Sequence, residues 1–201
     1  MVVEYGDSRQ PPILIISRFW FFPMDTCNQV GRKSTLHIRE MGVDDIAEVF
    51  HIGEIIFTAE YSPSLYRTWD EYEVTSMFNS DSELCLVAES EEQIVGFALG
   101  TTVEKRHSAW KYGYLVWLGV CPKAQQLRVG QNLFNMMKRR MRAQGVRMII
   151  VDTAADNRPA IDFFNKLGFG NIQEHVYMTL NLAPKKKGGK RKKKRSNGPL
   201  V

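Results

Sequence analysis

Cysteine is scarce in this chain: Cys27, Cys85 and Cys121 are the only three among 201 residues. They form neither an even disulfide framework nor a set with metal-ligand spacing, so a disulfide scaffold and a cysteine-based metal centre are both excluded. They read as buried thiols in a reducing compartment. Long apolar runs are lacking too. The best candidate, Ile13 to Phe22, is broken by Arg18 and bracketed by Pro12 and Pro23, well short of the roughly 20 residues that cross a bilayer. Glu4 and Asp7 precede it where a secretory signal carries basic residues. No membrane partner is expected, and residues 1–34 read as an extension that packs on the domain or stays disordered.

Acid is missing from one end. Lys185 to Arg195 holds nine Lys or Arg and no Asp or Glu, which leaves 18 basic against 22 acidic residues elsewhere, a net of −4. The sequence pI of about 9.1 therefore belongs to the tail, and the body is mildly acidic. This argues against a body that binds nucleic acid by its overall charge. The tail, residues 183–201, has nothing to bury and is expected to be disordered. It reads as a nuclear address, an RNA or ribosome tether, or a solubilising end. The compact Lys190 to Arg195 without an aromatic for base stacking favours the address and a nuclear import receptor as partner, with nucleus over cytoplasm as location.

What remains, residues 35–182, is long enough for one domain with a real core. Leu36 to Arg39 reads as a strand. Asp44 and Asp45 open a helix with Ile46, Val49, Phe50, Ile56 and Phe57 on one face. Thr68 and Glu71 look like a capping box for a second helix to Phe78. Strands Leu84 to Glu89 and Ile94 to Val103 flank the polar turn Ser90 to Gln93. After a loop from Glu104 to Gly113, the apolar run Tyr114 to Val120 ends at Pro122. A polar loop through Gly130 then leads into a helix with Leu133, Met136, Met137 and Met141. Val146 to Val151 reads as a buried parallel strand. Asn157 caps a helix with Pro159 in its first turn, and His175 to Leu182 is the last strand.

The strand, loop and helix from Tyr114 to Met141 form a physical site for phosphate. Free N–H groups at a helix N-terminus and the positive end of its dipole both favour an anion. Val120, Pro122, Gln125, Gly130 and Leu133 resemble the signature of the GCN5-related N-acetyltransferase (GNAT) family, a strand ending in Val-x-Pro followed by Arg/Gln-x-x-Gly-x-Gly/Ala. Arg128 stands at the first glycine of that signature. Asn157, Ala160, Ile161, Phe164, Gly168 and Phe169 resemble a second family segment, Asn-x-x-Ala-Ile-x-x-Tyr-x-x-x-Gly-Phe, and the element order β-α-α-β-β-β-α-β-α-β matches as well.

The resemblance implies an α/β fold with a mixed, mostly antiparallel sheet, splayed at the cofactor strand and flanked by about four helices. It implies acetyl-CoA as co-substrate, no metal, and transfer of acetyl to a primary amine by direct attack. Leu118 and Val120 would offer backbone to the pantetheine and thioester, Gln125, Gln126, Arg128 and Gly130 would hold the pyrophosphate, and Asn157 and Phe164 would complete the cofactor site. The splayed pair would be Tyr114 to Val120 and Val146 to Val151, with Gly119 easing a bulge. Backbone donors aimed at the thioester oxygen would act as an oxyanion hole.

The catalytic residues stay open. Glu60, His107 and His175 are candidate bases by position in loops, while Val116 stands where many relatives place a carboxylate. Phe164 stands where relatives place a general-acid Tyr. Tyr61, Tyr66, Trp69, Trp110 and Tyr112 are candidates for an aromatic wall around an acceptor, a peptide or protein amine or a polyamine-like small amine. Because Arg128 and Phe164 depart from pattern, a catalytically silent acyl-CoA-binding or interaction module is the alternative, and a tail-driven nuclear or RNA-associated protein is a third reading.

Overall fold

Alternating polar and apolar residues give way to helical periodicity and back again along the chain, and the layers follow those changes. The computed structural model describes residues 35–57, 68–104, 110–176, 178 and 180–182, with the side chains of Lys123, Gln125 and Gln126 left aside. Strand β1 is Leu36–Glu40, α1 is Ile46–Ile56, α2 is Glu71–Asp81, β2 is Cys85–Ser90 and β3 is Gln93–Glu104. Strand β4 is Lys111–Val120, α3 is Val129–Ala143, β5 is Val146–Ile150 and α4 is Arg158–Lys166. The strands lie in sequence order, antiparallel from β1 to β4, and β5 joins β4 in parallel. The α/β class, the mixed sheet and the four flanking helices are as the sequence implies.

Local chemistry explains most boundaries. The α2 cap is Asp70, whose carboxylate accepts from the Glu73 N–H at 2.8 Å. It replaces the expected Thr68, because Asp70 is the residue with extended backbone directly before the first helical turn. At α4 the side-chain oxygen of Asn157 accepts from the Ala160 N–H at 3.3 Å, and proline sits in the first turn as expected. The loop expected from Glu104 to Gly113 is shorter than the sequence reading, since β4 already begins at Lys111. Similarly, the polar stretch after β4 is a 3-10 helix over Pro122–Leu127.

Helices α1 and α2 cover one face of the sheet and α3 the other. Fully buried Leu133, Met137 and Met141 of α3 face the sheet, and each contributes about 1.5–3 kcal/mol by burial. Close approach needs glycine in the strands: a β-carbon at Gly100 would meet Met137 Sδ at 2.9 Å, and one at Gly113 would meet Met141 Sδ at 2.4 Å. On the opposite face Trp69 stacks on Phe97 and meets Trp117 edge-on at 5.1 Å. Its indole N–H donates to the Phe50 carbonyl at 2.9 Å. Trp69 is thus core between α1, α2 and the sheet, not part of an acceptor wall.

Two further expectations are corrected. Among the described residues His175 to Leu182 form no strand, and Val176, Met178, Leu180 and Leu182 are each more than four-fifths exposed. Alternation marks a face fit for burial but supplies no neighbour to bury it against. Cys121 is buried and disulfide-bonded, not a free thiol. Spacing along the chain carries no information on which cysteines meet in space. Cys85 is free and buried, and desolvation pushes its thiol up to about 12. The N-terminal extension and the basic tail lie outside the described residues.

Candidate active site

The site is built from a fork in the sheet. β4 and β5 pair from Lys111 with Val146 to Tyr114 with Ile150, and there the pairing stops. β4 continues from Leu115 to Val120 with no continuation of β5 alongside it. At roughly 3.3 Å per residue this leaves a slot about 20 Å long, enough for an extended, thin ligand. The expected splay is therefore present, with Tyr114 and Ile150 at its apex.

The bulge in β4 lies elsewhere than the sequence reading placed it. Leu99 pairs with Trp117 and Gly100 with Leu115, so the extra residue is Val116. Gly119 stays in register opposite Phe97, and a β-carbon there would stand 2.8 Å from the Phe97 ring. Glycine at 119 is needed for that ring, not for the bulge. The extra residue also exchanges the faces of the strand. Gly113 faces Met141 of α3, whereas Trp117, also odd-numbered, packs against Trp69 and donates to Glu73 Oε1 at 3.1 Å. Leu118 and Val120 consequently point to the α3 side, where both are buried.

Beyond the open end of the fork is the N-terminus of α3. Its first turn holds no acidic residue, and its N–H groups have no partner within the helix. Arg128 precedes it with φ +56°, a left-handed conformation that costs a side-chain-bearing residue about 1–2 kcal/mol. The Arg128 side chain is exposed. Gly130 lies in the first turn, close to Val120. Electropositive backbone, an exposed guanidinium and the absence of acid fit the pyrophosphate of a nucleotide, and the slot fits a pantetheine arm. The backbone of Gln125 and Gln126 runs in the 3-10 turn that leads to this point.

Asn157 and Phe164 are engaged in the fold itself. Besides capping α4, Asn157 donates through Nδ2 to Thr153 Oγ1 at 3.0 Å. Phe164 is 8% exposed and packs edge-on to Phe163 and Phe169. Of the candidate bases, Glu60 and His107 lie outside the described residues, and His175 is exposed. Tyr61 and Tyr66 also lie outside them. The rings of Trp110 and Tyr112 lie tilted to one another at 6.4 Å, and Tyr112 joins Val103, Tyr114 and Ile150 around an apolar cleft of about 170 Å³.

One pair escaped the sequence reading. The Tyr114 hydroxyl donates to Asp152 Oδ1 at the apex of the fork. The only signal in the sequence was an acid directly after the apolar run Val146 to Val151, a run expected to be buried but in the structure largely exposed, with Met148 and Ile150 on the surface. Among the described residues no group of His, Cys, Asp and Glu is placed to hold a metal ion.

A splayed parallel pair beside a helix N-terminus free of acid, on a mixed α/β sheet, is an arrangement that fits an acyl-CoA. Residues 48–169 match the model of the Acetyltransferase (GNAT) family, and the chain belongs to that family. It is an N-acetyltransferase that uses acetyl-CoA as co-substrate. Solved structures share the fold. An aminoglycoside acetyltransferase from an uncultured soil metagenomic sample, in complex with sisomicin, is 21% identical with a TM-score of 0.58, covering 73% of this chain and 97% of that one. The aminoglycoside N-acetyltransferase AAC(6')-Iy in complex with CoA is 19% identical with a TM-score of 0.57, covering 75% and 98%. Ard1 from Thermoplasma volcanium is 23% identical with a TM-score of 0.55, covering 67% and 82%.

Proposed function

We propose that this acetyltransferase delivers the acetyl group to a primary amine, either of a peptide or protein or of a polyamine-like small molecule, which enters the fork and attacks the thioester directly. The observation that carries the reading is the end of β4–β5 pairing at Tyr114 and Ile150, beside an α3 N-terminus without acid. The thioester supplies an activated acyl carbon with a thiolate leaving group. The chain's own parts do the rest. The first turn of α3 and Arg128 would hold the pyrophosphate, and the β4 backbone near Leu118 and Val120 would align the pantetheine arm. The aromatic pair Trp110 and Tyr112 stands beside the apex, where an acceptor would arrive. The mildly acidic body suits a cationic acceptor.

The test is acetyl transfer from acetyl-CoA to a panel comprising spermidine, a lysine-containing peptide and a peptide with a free α-amine, with CoA release as readout. Turnover with at least one amine supports the reading. Binding of acetyl-CoA without turnover on any amine favours the silent module, for which Arg128 in left-handed backbone and the hydroxyl-free Phe164 are the supporting features.

The location is a separate proposal. The run of nine Lys or Arg without acid between Lys185 and Arg195 supports a nuclear address read by an import receptor. Deleting residues 184–201 should move a fluorescent fusion out of the nucleus without altering CoA affinity. Salt-sensitive RNA binding lost on the same deletion would favour a tether to RNA instead.

A further inference from the structure

We infer that Asp152, held by Tyr114 at the apex of the fork, is the group that takes the proton from the acceptor amine. Tyr114 and Ile150 form the last β4–β5 pair. Continuing that parallel register by two residues brings Asp152 to the level of Val116, the extra residue of the β4 bulge. Val116 is apolar, so the strand that carries the thioester contacts offers no carboxylate there. The segment that follows β5 supplies one from across the gap.

Geometry makes the two ends of the slot unequal. Anchored by phosphate at the α3 N-terminus near Val120, an extended arm runs back along β4 toward the apex. Val116 is four residues from Val120, about 13 Å at the rise of a strand, so the reactive end of the arm arrives at the level of Asp152. Asp152 and Tyr114 are both half-buried, and Tyr114 also lines the apolar cleft of about 170 Å³ with Val103, Tyr112 and Ile150. The bond from Tyr114 orients the carboxylate, and proton transfer uses one of its roughly four acceptor positions.

The step balances as follows. A primary ammonium gives one proton to the Asp152 carboxylate, which returns it to solvent. The freed lone pair forms the C–N bond to the acyl carbon as the C–S bond breaks with its electron pair on sulfur. The second proton on nitrogen ends on the departing sulfur. Asp152 is the catalytic residue of this step, and Tyr114 is a positioning residue that acts through it.

This inference rests on the acetyltransferase reading above, and the experiment separates the two. Asp152→Asn, Asp152→Glu and Tyr114→Phe are compared with the parent protein on the same three amines, alongside acetyl-CoA affinity by calorimetry and thermal midpoints. Loss of a positioned base costs about 100- to 10,000-fold, so Asp152→Asn should lose that much in kcat with acetyl-CoA affinity unchanged. The loss should be larger for a lysine ε-amine, pKa about 10.4, than for a peptide α-amine near 8. A purely structural tie between strands would cost both amines equally. Asp152→Glu should recover part of the rate, and Tyr114→Phe should lower kcat about 10-fold with little change in KM. Parent turnover with Asp152→Asn at full rate overturns this inference alone. Parent protein silent on every amine overturns both readings. If Asp152→Asn does not fold, Tyr114→Phe decides: a full rate with an unchanged midpoint overturns the assignment.

Discussion

The ring of Phe163 stands 3.3 Å from where a β-carbon on Gly130 would lie, with Val120 Cγ2 at 3.6 Å. Helix α4 and the end of β4 therefore close on the first turn of α3 and hold it against the open end of the fork. Any side chain at 130 must push the Phe163 ring aside or turn toward the ligand.

Gly130→Glu is expected to fold, because an acid in the first turn of a helix suits its dipole. If the proposed phosphate site is right, the same carboxylate opposes the pyrophosphate, and repulsion plus steric block should weaken CoA binding at least 100-fold, on the order of 3 kcal/mol. Calorimetry showing parent-like affinity in the folded variant would remove the phosphate site from α3.

Arg128→Gly should move stability and affinity in opposite directions. Glycine takes the +56° φ without steric cost, so the fold should gain about 1 kcal/mol. Loss of a charge-assisted contact to phosphate should cost about 1–3 kcal/mol of CoA affinity, roughly 5- to 150-fold. A variant that melts higher and binds CoA as well as the parent means that the guanidinium does not touch the ligand.

Phe164→Tyr adds one oxygen to a ring that is 8% exposed and held between Phe163 and Phe169. Parallel rate and melting measurements should give a kcat up to roughly 100-fold higher, from protonation of the leaving sulfur, and a stability loss of about 1–2 kcal/mol where the hydroxyl is only partly satisfied. An unchanged kcat in a folded, active variant would mean that sulfur is protonated by another route.

Asp45 provides the pH-dependent tie of the fold. Hydrogen bonds from Arg39, at 2.6 and 3.0 Å, and from the Gly42 N–H, at 2.6 Å, hold its carboxyl below the usual range despite its burial. Arg39 also donates to Glu89 at 2.7 Å, which joins the start of α1 to β2. A lowered folded pKa contributes stability above the unfolded value, and that contribution is lost as pH falls through the folded one. Asp45→Asn should therefore cost about 1–3 kcal/mol at neutral pH, and the gap to the parent should close as pH drops below the ordinary carboxylate range. Urea titrations at neutral pH and at about pH 2 check this; a gap that persists in acid would assign the loss to packing rather than charge.

Most element types were legible because each rests on short-range chemistry. Pro159 behind Asn157 is a helix start wherever it lies, and the α3 apolar stripe of Leu133, Met137 and Met141 needs a sheet to cover it. The turn at Glu91 and Glu92 was legible as polar, although both residues take positive φ, 53° and 62°, without the glycine that usually marks such a turn. The candidate site was legible where backbone alone makes it, at the α3 N-terminus and along β4. Side-chain chemistry was not. Trp69 looked like a ligand-facing aromatic because burial against Phe97 and Trp117 is invisible from spacing, and nothing near Asp152 in the chain marks its bond to Tyr114.

The sequence by itself determined most strands and helices, though not the strand expected from His175 to Leu182, and that a helix N-terminus follows the fourth strand, since propensity, capping and periodicity act within a few residues. Tertiary structure alone decided where β4 and β5 part, which residue of β4 is the extra one, and that Asp152 meets Tyr114. The first and last depend on contacts between segments more than thirty residues apart, and the second on the register of β4 with β3. A run such as Tyr114 to Val120, apolar at nearly every position, carries no alternation from which that register can be read, so only packing against α1, α2 and α3 fixes it.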